Sequence, residues 1–304
     1  MRSKVPLRGA ATDLPEGPMA TSFGIMTPPV QVAYEDLVRV WKEADEVPEI
    51  GHAWLFDHLM PIGGDPGGPA FEGWSLLSAL AAQTTRIGVG LLVTSNRFRP
   101  PAMLAKIAAT VDVVAGGRME FGLGVGSRPN PPSARREYPA HGLPFQEPRD
   151  AVKALDEACT VIRRLWTEPE PFDFHGEYVD LTGAFCNPRP ATPKPFLLAG
   201  RAASTLRVVA RHADIWNIAG GDLDDCVDRS RLLDRFCGEI GRDPHEITRS
   251  MALAADPQNP AGTREAVKRA IGAGFGHIVL ILPAPYTDQV AHRVRDGIIA
   301  QIGG

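Results

Sequence analysis

The chain is poor in most of the features that announce a function. Four cysteines stand in 304 residues, Cys159, Cys186, Cys226 and Cys237, with no CxxC pair and no histidine at zinc-ligand spacing. That excludes the common zinc modules and a disulfide-stapled scaffold, and three of the four fall in helical patterns as small apolar residues, read as reduced and structural. Positive charge is not in excess: the formal net charge is -4 and the isoelectric point about 6.1, which argues against nucleic acid and against anionic membrane surfaces as partners. No apolar run approaches the roughly 20 residues needed to span a bilayer. The first eighteen residues are rich in proline, glycine and charge and have no apolar signal core. These absences lead us to expect a soluble, cytoplasmic protein with a small-molecule ligand, in which residues 1–20 form a flexible extension and residues 21–304 the folded domain.

What the chain does have is a repeating change of hydrophobic period, clearest in residues 85–128. Residues 87–93 are a short run of Val, Leu and Ile, as a strand buried on both faces requires. Leu104, Ile107, Ala108, Val111 and Val114 then recur at helical spacing after Pro101 and before Gly116-Gly117. In residues 119–125 the bulky Met119, Phe121, Leu123 and Val125 alternate with Glu120, Gly122 and Gly124, leaving one face of a strand nearly bare. Two readings of the bare face stand side by side: backbone packed closely on backbone, or a planar ligand lying against it. A dinucleotide site is excluded, because it needs a helix directly after the glycines and Pro129, Pro131 and Pro132 block one there.

The same alternation runs through the chain. Strands are expected at 23–26, 52–56, 87–93, 119–125, 196–199, 214–218, 247–254 and 277–282, and helices at 34–47, 74–81, 101–114 and 148–166, through Leu206, Val209 and Ala210, and at 223–240, 263–271 and 287–302. Eight strand and helix pairs predict an α/β fold, a single (β/α)₈ TIM barrel. Residues 128–147 read as a long irregular loop. The repeat is interrupted before the fifth strand by an insertion, residues 167–194, with a hairpin around His175-Gly176, and residues 172–190 of it are expected to be a mobile lid over the barrel mouth. In a TIM barrel the site lies where strands end, which directs attention to Asp57-His58, to Leu92, Val93 and Ser95, to Val125, Gly126, Ser127 and Asn130, and to Gly200, Arg201, Ala202 and Ala203. Asp57 is either a turn cap or part of the site, and His58 either a packed ring or a proton donor. The turn at 200–205 is either a plain glycine turn capped by Ser204 or Thr205, or an anion cradle at a helix start. Arg97, Arg99, Arg128 and Arg201 all fall near strand ends, where they offer partners for an anionic ligand.

With FDHL (56–59), LLVTSNRFRPPAMLAKIAATVD (91–112), GGRMEFGLGVG (116–126), EYPAHGLPF (137–145) and ADIWN (213–217), the chain resembles the luciferase-like monooxygenases, in the branch that uses the deazaflavin coenzyme F420. The resemblance covers residues 23–302. It implies an oxidoreductase that moves hydride between F420 and a small organic substrate of enone, imine or carbonyl type, with His58 near the reactive face, a non-prolyl cis peptide at Leu92-Val93, and a homodimer. FMN is the alternative cofactor. An FMNH2-dependent monooxygenase and a non-catalytic flavin-binding protein are the alternative functions. Two positions depart from the sugar-phosphate dehydrogenases of that family, Ser127 where they carry glutamate and Ile62 where they carry tryptophan, so sugar-phosphate oxidation is not expected.

Overall fold

In the computed structural model, residues 21–127 and 132–302 are described. The expected extension at 1–20, and with it Arg128 and Asn130, lies outside them. In chain order the elements are β1 (Ser22–Met26), α1 (Tyr34–Glu46), β2 (His52–Leu55), α2 (Gly73–Ala81), β3 (Gly88–Leu91), β4 (Thr94–Ser95), α3 (Pro101–Val114) and β5 (Met119–Gly124). There follow α4 (Pro132–Ala140), α5 (Pro148–Thr167), β6 (Phe172–His175), β7 (Asp180–Ala184), β8 (Phe196–Ala199), α6 (Ala203–His212), β9 (Ile215–Ala219), α7 (Leu223–Glu239), β10 (Thr248–Ala254), α8 (Pro260–Gly272), β11 (His277–Ile281) and α9 (Val290–Gly297). Strands run in the order β3-β2-β1-β11-β10-β9-β8-β5, and β5 pairs back to β3 and β4, so the parallel sheet closes on itself. Because β3 and β4 are one strand interrupted at Leu92-Val93, the wall has eight strands. The expected TIM barrel is the observed fold.

Alternation along the strands divides the interior in two. Ile25, Leu55, Leu91, Phe121, Leu123, Phe196, Trp216 and Leu280 face outward and are sealed by the helices. Met26, Trp54, Phe56, Leu92, Leu197, Ala252 and Val279 face inward as a smaller cluster. Helix α5 illustrates the sealing: Ala151, Leu155, Ala158, Ile162 and Leu165 are buried at helical spacing, each leucine or isoleucine contributing about 1.5–3 kcal/mol by leaving water.

The bare face of β5 has its explanation in the interrupted strand. A Cβ on Gly122 would lie 2.2 Å from the Leu91 carbonyl oxygen, and one on Gly124 would lie 2.8 Å from Val93 Cγ2. Close backbone approach is therefore what Gly122 permits, room for the Val93 side chain is what Gly124 permits, and the planar-ligand reading fails for Gly122. The Leu92-Val93 peptide is cis, as the family resemblance implied.

Three expectations need correction. Residues 128–147 are not a continuous irregular loop, since α4 forms between them. Its Pro132 sits in the first turn, where a missing N–H costs nothing, and Pro139 falls at the other end, leaving 133–138 free to coil. The last helix is shorter than 287–302: Gln289 adopts φ 61° just before α9, and Ile298 ends it before a 3-10 turn at Ile299–Gln301. Finally, the β6–β7 hairpin is no lid. Glu157 of α5 accepts the backbone N–H groups of Glu177, Tyr178 and Val179 at 2.8–2.9 Å, and Arg164 lies over the Phe172 ring at 3.9 Å, so the hairpin is fastened to the outside of α5.

Candidate active site

The C-terminal strand ends surround a cavity of about 510 Å³. Taken round the barrel, its wall has two unlike arcs. The ends of β9, β10, β11 and β1 contribute Ile218, Ala252, Ile281 and Met26, joined by Phe56 after β2, and Asn217 is the one polar side chain there. The ends of β4, β5 and β8 contribute Ser95, Arg97, Ser127, Arg201, Ser204 and Thr205. His58 stands where the arcs meet.

Nearly all the described site residues expected from the sequence come together here: Asp57, His58, Leu92, Val93, Ser95, Val125, Gly126, Ser127, Gly200, Arg201 and Ala202 line the cavity. Ala203 does not. As the first residue of α6 it turns its side chain outward into solvent, and Ser204 and Thr205 reach the cavity instead. Neither caps the helix: the N-cap is Ala202, with no side-chain bond, so the first-turn N–H groups of α6 lack an internal acceptor.

Asp57 is not free to act on a ligand. Its buried carboxylate takes both Arg99 nitrogens, at 2.7 and 3.0 Å, and the Ser95 N–H at 3.1 Å. Burial pushes its carboxyl above the ordinary range, with Arg99 opposing. Arg99 also bonds Glu72. The expectation that Arg99 is a rim cation is therefore wrong: it and Asp57 lock the interrupted strand to the end of β2. Arg201 is likewise engaged, by Asp225 and by the Ala219 carbonyl. Arg97 differs. Its Nε donates to the Val125 carbonyl at 3.1 Å, whereas Nη1 is buried without a partner among the described residues. Burial lowers the guanidinium's pKa, which marks a charge in want of an anion. Gly126 permits this approach, with φ 89° and a virtual Cβ 3.0 Å from Arg97 Cδ.

The closed barrel, the strand interruption facing β5 and the residues gathered at one rim agree with the family comparison, which matches the luciferase-like monooxygenase family over residues 19–301. The chain belongs to that family. An uncharacterised protein of Mycobacterium tuberculosis is 34% identical over 222 residues, 73% of this chain and 71% of its own. An F420-dependent glucose-6-phosphate dehydrogenase of Amycolatopsis mediterranei is 30% identical over 185 residues, 60% of this chain and 53% of its own. Among solved structures, an F420-dependent secondary alcohol dehydrogenase in complex with an F420-acetone adduct superposes with a TM-score of 0.80 at 19% identity, over 93% of this chain and 99% of that one, a likeness of fold.

In this luciferase-like barrel the residues of the apolar arc had escaped the sequence reading, and so had one buried acid beside the cavity. Glu137, on α4, is 1% exposed and meets His58 Nδ1 at 3.1 Å through Oε2, while its Oε1 accepts the Leu59 N–H at 2.5 Å. Its neighbour Tyr138 accepts the Ser127 N–H at 3.0 Å and stacks on Phe145. The signal was the spacing Ala134, Glu137, Tyr138, a helical i, i+3, i+4 set. A charged residue in the middle position hides such a face from a search for apolar periodicity.

Proposed function

We propose that this protein transfers hydride between coenzyme F420 and a small, uncharged, largely apolar organic substrate of enone, imine or carbonyl type. The division of the cavity wall into two arcs carries the reading. Arg97 Nη1 and the uncapped first turn of α6 suit the phosphate and acidic tail of F420. The arc of Met26, Phe56, Ile218, Ala252 and Ile281 holds no cation to pair with a substrate phosphate, which argues against a sugar phosphate. Family membership and the F420-dependent relatives support the choice of cofactor.

When bound, F420 supplies a ring confined largely to hydride transfer. The chain's own residues do the rest. His58 is the one imidazole in the described lining, and the lining holds no Cys, Lys, Tyr or Glu. As hydride leaves a substrate carbinol, His58 takes the hydroxyl proton. In the reverse direction it returns that proton to the oxygen. The apolar arc excludes water from the reacting carbon, and Asp57 with Arg99 keeps the wall behind it fixed.

The test mixes reduced F420 with a panel of enones and ketones and follows the return of oxidised-cofactor absorbance. His58→Ala is expected to bind F420 like the wild type and to lose turnover by about 10²- to 10⁴-fold. Undiminished turnover in the variant would reduce His58 to a packing residue. Tight binding by the wild type without turnover of any acceptor would favour a non-catalytic carrier.

A further inference from the structure

Helix α4 touches the rim through three successive side chains. Arg136 donates to the Pro61 carbonyl at 2.9 Å, Glu137 holds His58 and the Leu59 N–H, and Tyr138 accepts the Ser127 N–H. The middle contact bears on the chemistry. Glu137 is buried, its Oε1 is taken up by the Leu59 amide, and Oε2 is the closer of its oxygens to the imidazole, 3.1 Å from Nδ1. A carboxylate only accepts, so the ring must place a proton on Nδ1. Nε2 has no partner among the described residues, while the ring lines the cavity and is crossed edge-on by Phe56 at 5.0 Å.

We propose that Glu137 is the positioning residue of His58: it holds the Nδ1 proton and thereby leaves a bare Nε2 for the cavity, the atom through which proton exchange with the substrate oxygen occurs. This rests on the reading of His58 as the proton-transfer group. The step balances: the substrate O–H proton passes to Nε2, the ring becomes imidazolium with the Nδ1 proton on the ring and hydrogen-bonded to Glu137, and the hydride from the carbinol carbon goes to the oxidised deazaflavin, the two-electron acceptor. Without the carboxylate, a neutral imidazole favours the opposite tautomer, which carries hydrogen on Nε2 and has no lone pair there to accept a proton.

The tautomer can be read without cofactor or substrate, so its outcome is separate from that of the hydride-transfer reading. Protein labelled with ¹⁵N-histidine gives long-range imidazole correlations, and the His58 set is the one lost in His58→Ala. With neutral rings, wild-type His58 is expected to be protonated at Nδ1 and bare at Nε2. Glu137→Gln, whose amide oxygen still accepts, is expected to keep that form, and Glu137→Ala to shift it to Nε2–H. Turnover on whichever ketone the wild type reduces should fall about 10- to 100-fold in Glu137→Ala with KM little changed. An Nε2–H tautomer in the wild type overturns the proposal even if Glu137→Ala does not fold, and so does an unchanged tautomer in a folded Glu137→Ala.

Discussion

His52 and His277 lie face to face inside the barrel, ring centroids 4.2 Å apart and planes within 4° of parallel. Nδ1 of His52 accepts the Trp54 indole N–H at 2.6 Å, and Ser250, which accepts from Asn217, shares a hydrogen bond of 2.8 Å with His277 Nδ1. Burial favours the neutral form of both rings. Burial, with His277 alongside, drives His52 well below its ordinary 6.5, and burial lowers His277 to about 4. Below pH 6.5 the unfolded chain takes up protons that the native rings refuse, so their stabilisation is complete above 6.5 and lost as pH falls toward 4. Glu120 works the other way. Burial raises it from 4.5 to about 7 against Lys194, so its contribution is present in acid and lost as pH rises from 4.5 to 7. His277 and Glu120 are each worth at most about 3 kcal/mol across their windows and largely offset one another. His52 then leaves a net sensitivity to acid. Denaturant titrations from pH 7 to 4.5 are expected to show Glu120→Gln losing stability more steeply than wild type, and equal slopes would refute the opposition.

Among the elements, the hairpin and α4 exchanged the roles that their sequences suggested. Aromatic residues around a glycine turn read as a lid, but Glu157, the Tyr178–Asp150 bond at 2.9 Å and the Lys153–Glu177 pair hold the turn to α5, and no residue of 168–195 lines the cavity. Removing the carboxylate in Glu157→Ala should cost about 1–3 kcal/mol for the N–H groups it leaves unbonded. Hydrogen exchange at residues 177–179 should accelerate while turnover stays unchanged. Exchange rates equal to the wild type's would mean that the turn stands without Glu157. The segment that reaches the rim is α4, whose prolines had argued for a loop.

At the scale of the whole molecule, charge is arranged more informatively than the net -4 suggests. The ends of β4, β5 and β8 gather the guanidiniums, hydroxyls and free helix N–H groups, and the opposite arc is apolar. A cofactor with an acidic tail gains from that arrangement more than FMN does. F420 is therefore expected to bind at least tenfold more tightly than FMN, about 1.4 kcal/mol, with the gap narrowing as salt screens the tail charges. Quenching of tryptophan fluorescence, followed at low and high ionic strength with each cofactor, measures this. Tight FMN binding without measurable affinity for F420 would move the protein to the oxygen-using part of its family.

The sequence by itself determined the barrel. Period changes are local, each strand and helix writes its own, and eight in succession leave one closed arrangement, so even β8, residues 196–199, falls where periodicity puts it. It also determined most of the rim, because strand ends in a barrel are positions along the chain. Only the tertiary structure decided which rim charges are available. Arg97 and Arg99 stand two residues apart with the same side chain, yet Arg99 reaches back 42 residues to Asp57 and is consumed, while Arg97 Nη1 meets no partner among the described residues. Likewise Glu137 meets His58 across 79 residues of chain. Contacts at such separation depend on closure of the whole sheet, which no local pattern encodes.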